Sequence, residues 1–489
     1  MNTQEYETLN DNEDFELNDL NKIKPNISKS KNETGTVFSS IVTLSNTLLG
    51  SGMLAMPAAF AAVGLYFGIL SILVFGCGAL FGLWLLTRCA TYTGRNSSFF
   101  SLSMITFPQA SIFFDLAISI KCFGVSVSYL IIVGDLMPIV TIGLFPSIPF
   151  NSILLTREFW ITIAVITIIP LAFMRKLDSM RHTSFISLLA VVYLLFIVVY
   201  YFYVPFEVNS AQQKRQLSKD SNPEINLSYP KNPKIEKFKF SMDFFKNLPI
   251  FVFAFTCHQN VLSVYNEMKD NRQKNVNKVI ISSISFGAIL YWIVGIYGYI
   301  TFGDKTDSNV ISMYPSSSNI ILFGQLSMVI MVMLSYPLQM FPCRLSLEKV
   351  FYNLKRILNR NNEGSSLLNP TAVSLMDNSS ISAHDQPMSD RKFFFMTLSI
   401  LVCSYVLACS VKTLGIVLSI VGATGSTMIC YVLPGILYYK LETENTRMNS
   451  RKRSNTVYAA LFMFIIGVIL MINQLLLYVI LMLFWRQNF

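Results

Sequence analysis

The sequence predicts an all-α polytopic membrane protein with about eleven transmembrane helices, in two halves of five plus one, the first helix of each half being broken near its middle. Three observations carry that expectation. The 489 residues are 53% hydrophobic and only 13% charged, with a mean hydropathy of +0.49, whereas soluble domains carry about 25% charged residues. Some eleven stretches are apolar over the roughly 20 residues needed to span a bilayer. Two of them, the first and the sixth, interrupt themselves with polar or helix-weak residues.

The segments run near 36–62, 65–87, 112–141, 158–174, 183–204, 244–266, 279–302, 318–343, 393–411, 414–439 and 456–484. The third is long enough to tilt, and the fourth is short. The first reads Ser45-Asn46-Thr47-Leu48-Leu49-Gly50-Ser51-Gly52-Met53-Leu54-Ala55-Met56-Pro57 through its middle. Gly50-Ser51-Gly52 is a poor helix former. Lipid offers no hydrogen-bond partners, so irregular backbone persists at that depth only where protein buries it or a wet cavity is lined. The sixth segment places Thr256-Cys257-His258-Gln259-Asn260 at a corresponding depth. Each stretch alone is equally well read as a helix–helix contact. The matching pair favours a carrier, many of which open each half with a discontinuous helix.

The expected organisation is an acidic tail over 1–35, a first repeat over 36–204, a loop over 205–243, and a second repeat over 244–440 that contains a polar loop over 345–392. A linker and the eleventh helix follow over 441–489. The first twenty residues carry seven acids and no Lys or Arg, and 358–391 is rich in Asn and Ser. Neither composition buries enough apolar surface to order itself. The acidic start also argues against a cleaved signal peptide.

Basic residues orient the chain. With the N-terminus in the cytosol, Arg88 and Arg95, Arg175 and Lys176, Lys269 to Lys278, Arg344 to Lys392 and Lys440 to Arg453 fall on the inside. The C-terminus is then lumenal. The lysine-rich loop 205–243 is the exception, and charge in long loops counts less. Asn226-Leu227-Ser228 fits a glycosylation acceptor on that face. Similar sequons at Asn26, Asn32, Asn96 and Asn378 fall on the other side, so the motif is weak support. Tyr6-Glu7-Thr8-Leu9 fits a sorting pattern short enough to recur by chance. The net charge of +10 serves orientation, with the lipid bilayer as partner and no nucleic acid. The eight cysteines show no metal-ligand spacing and read as small core residues.

Free N–H groups on Ser51, Gly52 and Met53 would start the half-helix after the first break, and a helix N-terminus favours a carboxylate. Carbonyls near Phe255 and Thr256, before the second half-helix, suit an ammonium. A zwitterionic α-amino acid fits both ends; a sugar needs no such charge pair.

At these residues the chain resembles the amino acid/auxin permease family, the fungal vacuolar amino-acid transporters more than the sodium-coupled neutral amino-acid transporters. Four blocks carry the resemblance: Asn46 to Gly52; Phe253 to His258 with Tyr265-Asn266-Glu267; Ser335-Tyr336-Pro337 with Phe341 to Arg344; and Gly422 to Thr427 with Leu433-Pro434-Gly435. It covers about 36–484. It implies a LeuT-like 5+5 inverted repeat with broken helices 1 and 6, and secondary active transport of amino acids driven by a proton or sodium gradient. It also implies that Asn46 is linked to substrate or ion, and that Ser335 falls where relatives place a hydroxyl ligand for sodium. The loop 205–243 lacks the cysteines that the sodium-coupled relatives bridge, which favours the proton-linked vacuolar group. The expectation is a monomer in a vacuolar, lysosome-like membrane that exports neutral amino acids such as glutamine to the cytosol.

His258 is the one histidine within a span. Its ordinary titration range suits a proton relay, and a plain hydrogen-bonding residue at the break is the alternative. Lys121 sits about two turns inside the third segment, either functional or snorkelling to the surface. Glu267 ends the sixth segment, as a gate paired with a basic residue or as a solvated terminus. Thr424 and Ser426 line the path or pack helices together. No nucleophile–base pair, metal cluster or phosphate loop is present, so neither an enzyme nor a cofactor is expected. The rival readings are an amino-acid sensor on the same fold, a channel, and a sodium-coupled plasma-membrane carrier.

Overall fold

The computed structural model describes residues 35–149, 151–174, 181–204, 233–314, 318–362, 388–448 and 454–487. The acidic tail with its sorting pattern, the sequons at Asn26, Asn32, Asn226 and Asn378, and most of the two polar loops lie outside these residues.

The first span is α1 (Val37–Leu48), α2 (Ser51–Leu54) and α3 (Met56–Val63). The second is α4 (Leu65–Thr93), and a short helix α5 (Phe99–Thr106), not expected from the sequence, follows it. α5 starts at a capping box in which the Ser98 and Ser101 side chains serve each other's backbone N–H. The third, fourth and fifth spans are α6 (Ser111–Leu144), α7 (Arg157–Ala172) and α8 (Arg181–Tyr203). The sixth is split into α9 (Met242–Ala254) and α10 (His258–Glu267). The seventh to ninth are α11 (Gln273–Phe302), α12 (Asn319–Asn362) and α13 (Asp390–Ser410). In the tenth, α14 (Leu414–Val421) and α15 (Leu433–Met448) flank two π segments, Gly422–Ser426 and Met428–Val432. The eleventh is α16 (Asn455–Gln487).

Among the described residues nine helices are long and apolar enough to cross a membrane. The broken first span and the 16-residue α7 complete the expected set. The 34 residues of α6 rise about 50 Å, well beyond the hydrocarbon thickness, so tilt or protrusion is required. Outward faces are apolar, with Leu73, Ile166, Phe196 and Phe462 all exposed, as a lipid-facing surface demands. The cysteine expectation holds only in part. Cys89, Cys122, Cys257, Cys343 and Cys430 are buried, but Cys77 and Cys403 are exposed on outward faces. Lipid accommodates a thiol as readily as a protein core does, so composition alone did not separate the two.

Main-chain hydrogen bonds join the start of the first span to the end of the sixth, and the corner between the first and second spans to the chain that leads into the sixth. Gly35 N–H donates to Glu267 O at 3.1 Å and Lys269 N–H to Gly35 O at 2.9 Å. At the opposite end Leu65 N–H donates to Glu236 O, Tyr66 N–H to Lys237 O and Lys239 N–H to Val63 O, at 3.0, 3.0 and 3.1 Å. The Lys239 ammonium adds a bond to Ala61 O near the C-terminus of α3, where the helix dipole favours a cation. Gly64 turns this corner with φ 87°, and a Cβ there would lie 2.8 Å from Lys239 N, so glycine is required twice over.

Candidate functional site

Both breaks are present. At the first, α1 stops at Leu48, Leu49 takes an extended conformation, and Gly50 is neither helical nor extended, with φ −151° and ψ −139°. At the second, Phe255, Thr256 and Cys257 separate α9 from α10. There the last turn tightens, with Thr256 N–H on Phe253 O at 3.1 Å.

The free main-chain groups differ slightly from expectation. Met53 N–H is taken by Gly50 O at 3.1 Å, which removes it from the expected set. Among the described residues, Ser51 N–H and Gly52 N–H meet no acceptor, and the carbonyls of Phe255 and Thr256 meet no donor. The Phe255 ring is core, wedged beside Gly76 and edge-on to Tyr291 at 5.2 Å. The Thr256 hydroxyl turns back to Val252 O at 2.7 Å, with Cys430 Sγ 3.2 Å away.

Side chains from other spans close around the first break. Ser128 of α6 donates to Ser51 Oγ at 2.9 Å, and a Cβ on Gly50 would lie 2.9 Å from the Tyr129 hydroxyl. Asn46 is 2% exposed, yet among the described residues neither its Oδ1 nor its Nδ2 has a partner. Ser45 Oγ, Gln259 Oε1 and Ser426 Oγ are also buried without partners. Asn260 of α10 reaches across to Thr47 Oγ1 at 3.0 Å, joining the two broken spans. The Tyr291 hydroxyl of α11 serves Leu48 O and Ala254 O.

The remaining sequence candidates are more dispersed. His258 is fully buried; its Nδ1 lies 3.2 Å from Cys430 Sγ, and its Nε2 faces the second span near Ala79 and Gly82. Ser335 is buried with its hydroxyl 3.4 Å from Ser187 Oγ of α8, and no hydrogen bond links it to Asn46. The Thr424 hydroxyl is bound to Ile420 O of its own helix at 2.8 Å. Glu267 sits at the end of α10, where Arg95 directs its guanidinium to the carbonyls of Met268 and Lys269, at 2.9 and 3.0 Å. Arg95 thereby complements the dipole at the end of α10. Lys121 does not snorkel: it is 2% exposed, with Nζ 3.4 Å from Gln339 Oε1 of α12. Among the described residues no group of three His, Cys, Asp or Glu side chains is placed to hold a metal ion. A separate apolar groove of about 570 Å³, lined by Val74, Phe81, Tyr431, Phe462 and Leu470 among others, lies between the second, tenth and eleventh spans.

Sequence reasoning missed Tyr129, Gln339 and Tyr291. A glutamine between Pro337 and Pro342 in an apolar span was a readable signal for Gln339. The two tyrosines lay among too many aromatics to stand out.

A discontinuous pair of helices closed over unmatched main-chain amides and carbonyls defines a carrier-type membrane protein. The chain belongs to the family described as transmembrane amino acid transporter protein, whose model matches residues 33–480. It is 39% identical over 404 residues to Vacuolar amino acid transporter 5 of Schizosaccharomyces pombe, covering 82% of this chain and 84% of that one. It is 35% identical over 461 residues to Vacuolar amino acid transporter 6 of Saccharomyces cerevisiae, covering 90% and 98%. Among solved structures, a nucleobase-cation-symport-1 family transporter in a closed conformation with bromovinylhydantoin bound aligns with a TM-score of 0.54 at 11% identity, covering 92% of this chain and 91% of that one. That likeness speaks for the fold, which is the LeuT-type arrangement expected from the sequence.

Proposed function

We propose that the protein is a secondary active transporter that moves amino acids across the vacuolar membrane by alternating access, exporting neutral amino acids such as glutamine to the cytosol together with a proton. One observation carries the reading: both broken spans present unmatched main-chain groups at the same depth, N–H on Ser51 and Gly52 and C=O on Phe255 and Thr256. A zwitterion supplies the complement of each, a carboxylate for the first and an ammonium for the second. Gly50 lets Tyr129 approach the backbone, and Asn46 offers a buried, unmatched amide beside it. The amides of Asn46, Gln259 and Gln339 favour a guest without net charge.

The vacuolar names of the relatives support the compartment, and the basic inside loops support a cytosolic N-terminus and a lumenal C-terminus. A monomer suffices for this mechanism. A proton is preferred to sodium as the coupling ion because the loop 205–243 lacks the cysteines that sodium-coupled relatives bridge there, which favours the proton-linked vacuolar group. The coupling candidates are His258 and Glu267 on the broken sixth span and Lys121 on the third, with Thr424 on the tenth as a further candidate for the substrate path.

Proteoliposomes tested against an amino-acid panel, with imposed pH and sodium gradients, decide the matter. Accumulation driven by an inward proton gradient is the expected result. Flux indifferent to both gradients rejects coupling. Binding without accumulation identifies a sensor on the same fold.

A further inference from the structure

We propose that the side-chain amine of Lys121 is the site that binds and releases the coupling proton; this rests on the proton-coupled reading above and names the residue that performs it. Lys121 lies on α6 and is 2% exposed. The tenth span presses against its backbone: a Cβ on Gly425 would lie 2.8 Å from Lys121 Cβ and 2.9 Å from Lys121 N. The side chain is thus held inside the bundle. Its Nζ reaches Gln339 Oε1 at 3.4 Å, and Gln259 Nε2 approaches the same oxygen at 3.5 Å. One neutral amide oxygen therefore serves two donors.

An ammonium carries three N–H donors and a full charge. Burying it against a single long contact to a neutral acceptor is costly, whereas a neutral amine is accommodated easily. No carboxylate lies within ion-pair distance of Lys121 among the described residues. The titratable groups facing it are the thiols of Cys122 on its own helix, Cys257 at the second break and Cys430 in the tenth span, with the His258 imidazole beyond. On α12, the Cys343 thiol donates to Ser119 O at 3.6 Å. Asp115 lies six residues back along α6, a rise of about 9 Å, and faces Lys349 instead.

The site is connected to the substrate region. Gln339 lies beside Tyr129, whose hydroxyl meets Gly50 at the first break, and Gln259 follows the second break by two residues. Protonation at Lys121 changes what Gln339 and Gln259 can donate and accept, and thereby changes both breaks. In the arrangement seen here the side chain is shut away from solvent. Opening to an acidic compartment admits water and a proton. Closing and reopening on the other side returns that proton to solvent. Only the N–H bond forms and breaks.

The experiment uses purified full-length protein in proteoliposomes, with glutamine as the probe, or whichever panel member the wild type carries best. Two fluxes are read for each variant: counterflow exchange without a gradient, and accumulation under an imposed pH gradient. Lys121→Gln is expected to lose gradient-driven accumulation at least tenfold while exchange falls no more than about threefold. Lys121→His, a titratable replacement, is expected to regain accumulation with its pH profile displaced to more acidic values. Accumulation retained in Lys121→Gln, or lost instead in His258→Gln, overturns the proposal. Loss of exchange in both Lys121 variants makes the residue structural and overturns it as well. A wild-type protein that ignores the pH gradient defeats the proton-coupled reading itself, a result distinguishable from any variant's behaviour.

Discussion

Leu48 and Ala254, the last helical residues before the two breaks, share one hydrogen-bond donor: the Tyr291 hydroxyl lies 2.7 Å from the first carbonyl oxygen and 2.8 Å from the second. One hydroxyl has one proton, so α11 holds both carbonyls with a divided bond. Tyr291→Phe keeps the ring against Phe255 and removes only that proton. A buried carbonyl left unsatisfied costs about 1–3 kcal/mol. The variant is expected to melt at a lower temperature in detergent and to exchange substrate about tenfold more slowly. Melting and exchange both equal to wild type would reject the linkage.

Gly52 packs closely against the sixth span. A Cβ there would lie 3.0 Å from Ala254 Cα and 3.1 Å from Ala254 Cβ. Overpacking of this kind costs about 1–3 kcal/mol. Gly52→Val should abolish uptake while protein levels in the membrane stay near normal, read by vesicle uptake beside an immunoblot. Transport that survives would refute a carboxylate site at Gly50-Ser51-Gly52.

Asn46 separates stability from function. Its side-chain amide is buried and unmatched, so replacing it with alanine removes an unsatisfied group. Such a change is close to neutral for folding. Asn46→Ala is expected to leave the melting temperature unchanged or raised, while KM for the substrate rises about tenfold, the worth of one net hydrogen bond of about 1.4 kcal/mol. An unaltered KM would remove Asn46 from the site.

Arg344 gives the opposite pattern. Its Nη1 donates to Ala172 O at 3.2 Å and to Thr397 Oγ1 at 3.0 Å, and the guanidinium stacks 4.0 Å from the Phe393 ring centre. It thereby ties the end of α7 to α12 and α13. Hydrogen bonds to a charged group contribute about 1.5–3 kcal/mol each. Arg344→Lys, which lacks the planar fork, should lower the melting temperature with little change in KM. A fall in affinity without a fall in stability would contradict this assignment.

The two breaks were legible because Gly50-Ser51-Gly52 and Thr256 to Asn260 interrupt two apolar spans at corresponding positions, a coincidence that a helix contact at either one alone does not explain. Span count followed from apolar length alone. The partners of the breaks were not legible. Tyr129, Tyr291 and Gln339 come from three other spans, and membrane helices are apolar all round, so periodicity does not say which face turns inward. For the same reason Cys77 and Cys403 fell outside the core. The wide turns of the tenth span left no sequence trace beyond a run of small residues. Thr424 illustrates the limit of composition: its hydroxyl, read as lining the path or packing helices together, bonds Ile420 O within its own span. Met53 was miscounted because Gly50 O folds back onto its N–H.

The backbone seams at Gly35 with Glu267 and Lys269, and at Val63 to Tyr66 with Glu236 to Lys239, fasten a pair of split rods at both tips. So fastened, the two interrupted spans are held together by bonds that no side chain supplies. Because the stitches are main-chain atoms, most changes of side chain leave them in place; proline at a donor position cuts them, and any Cβ at Gly35 or Gly64 crowds them.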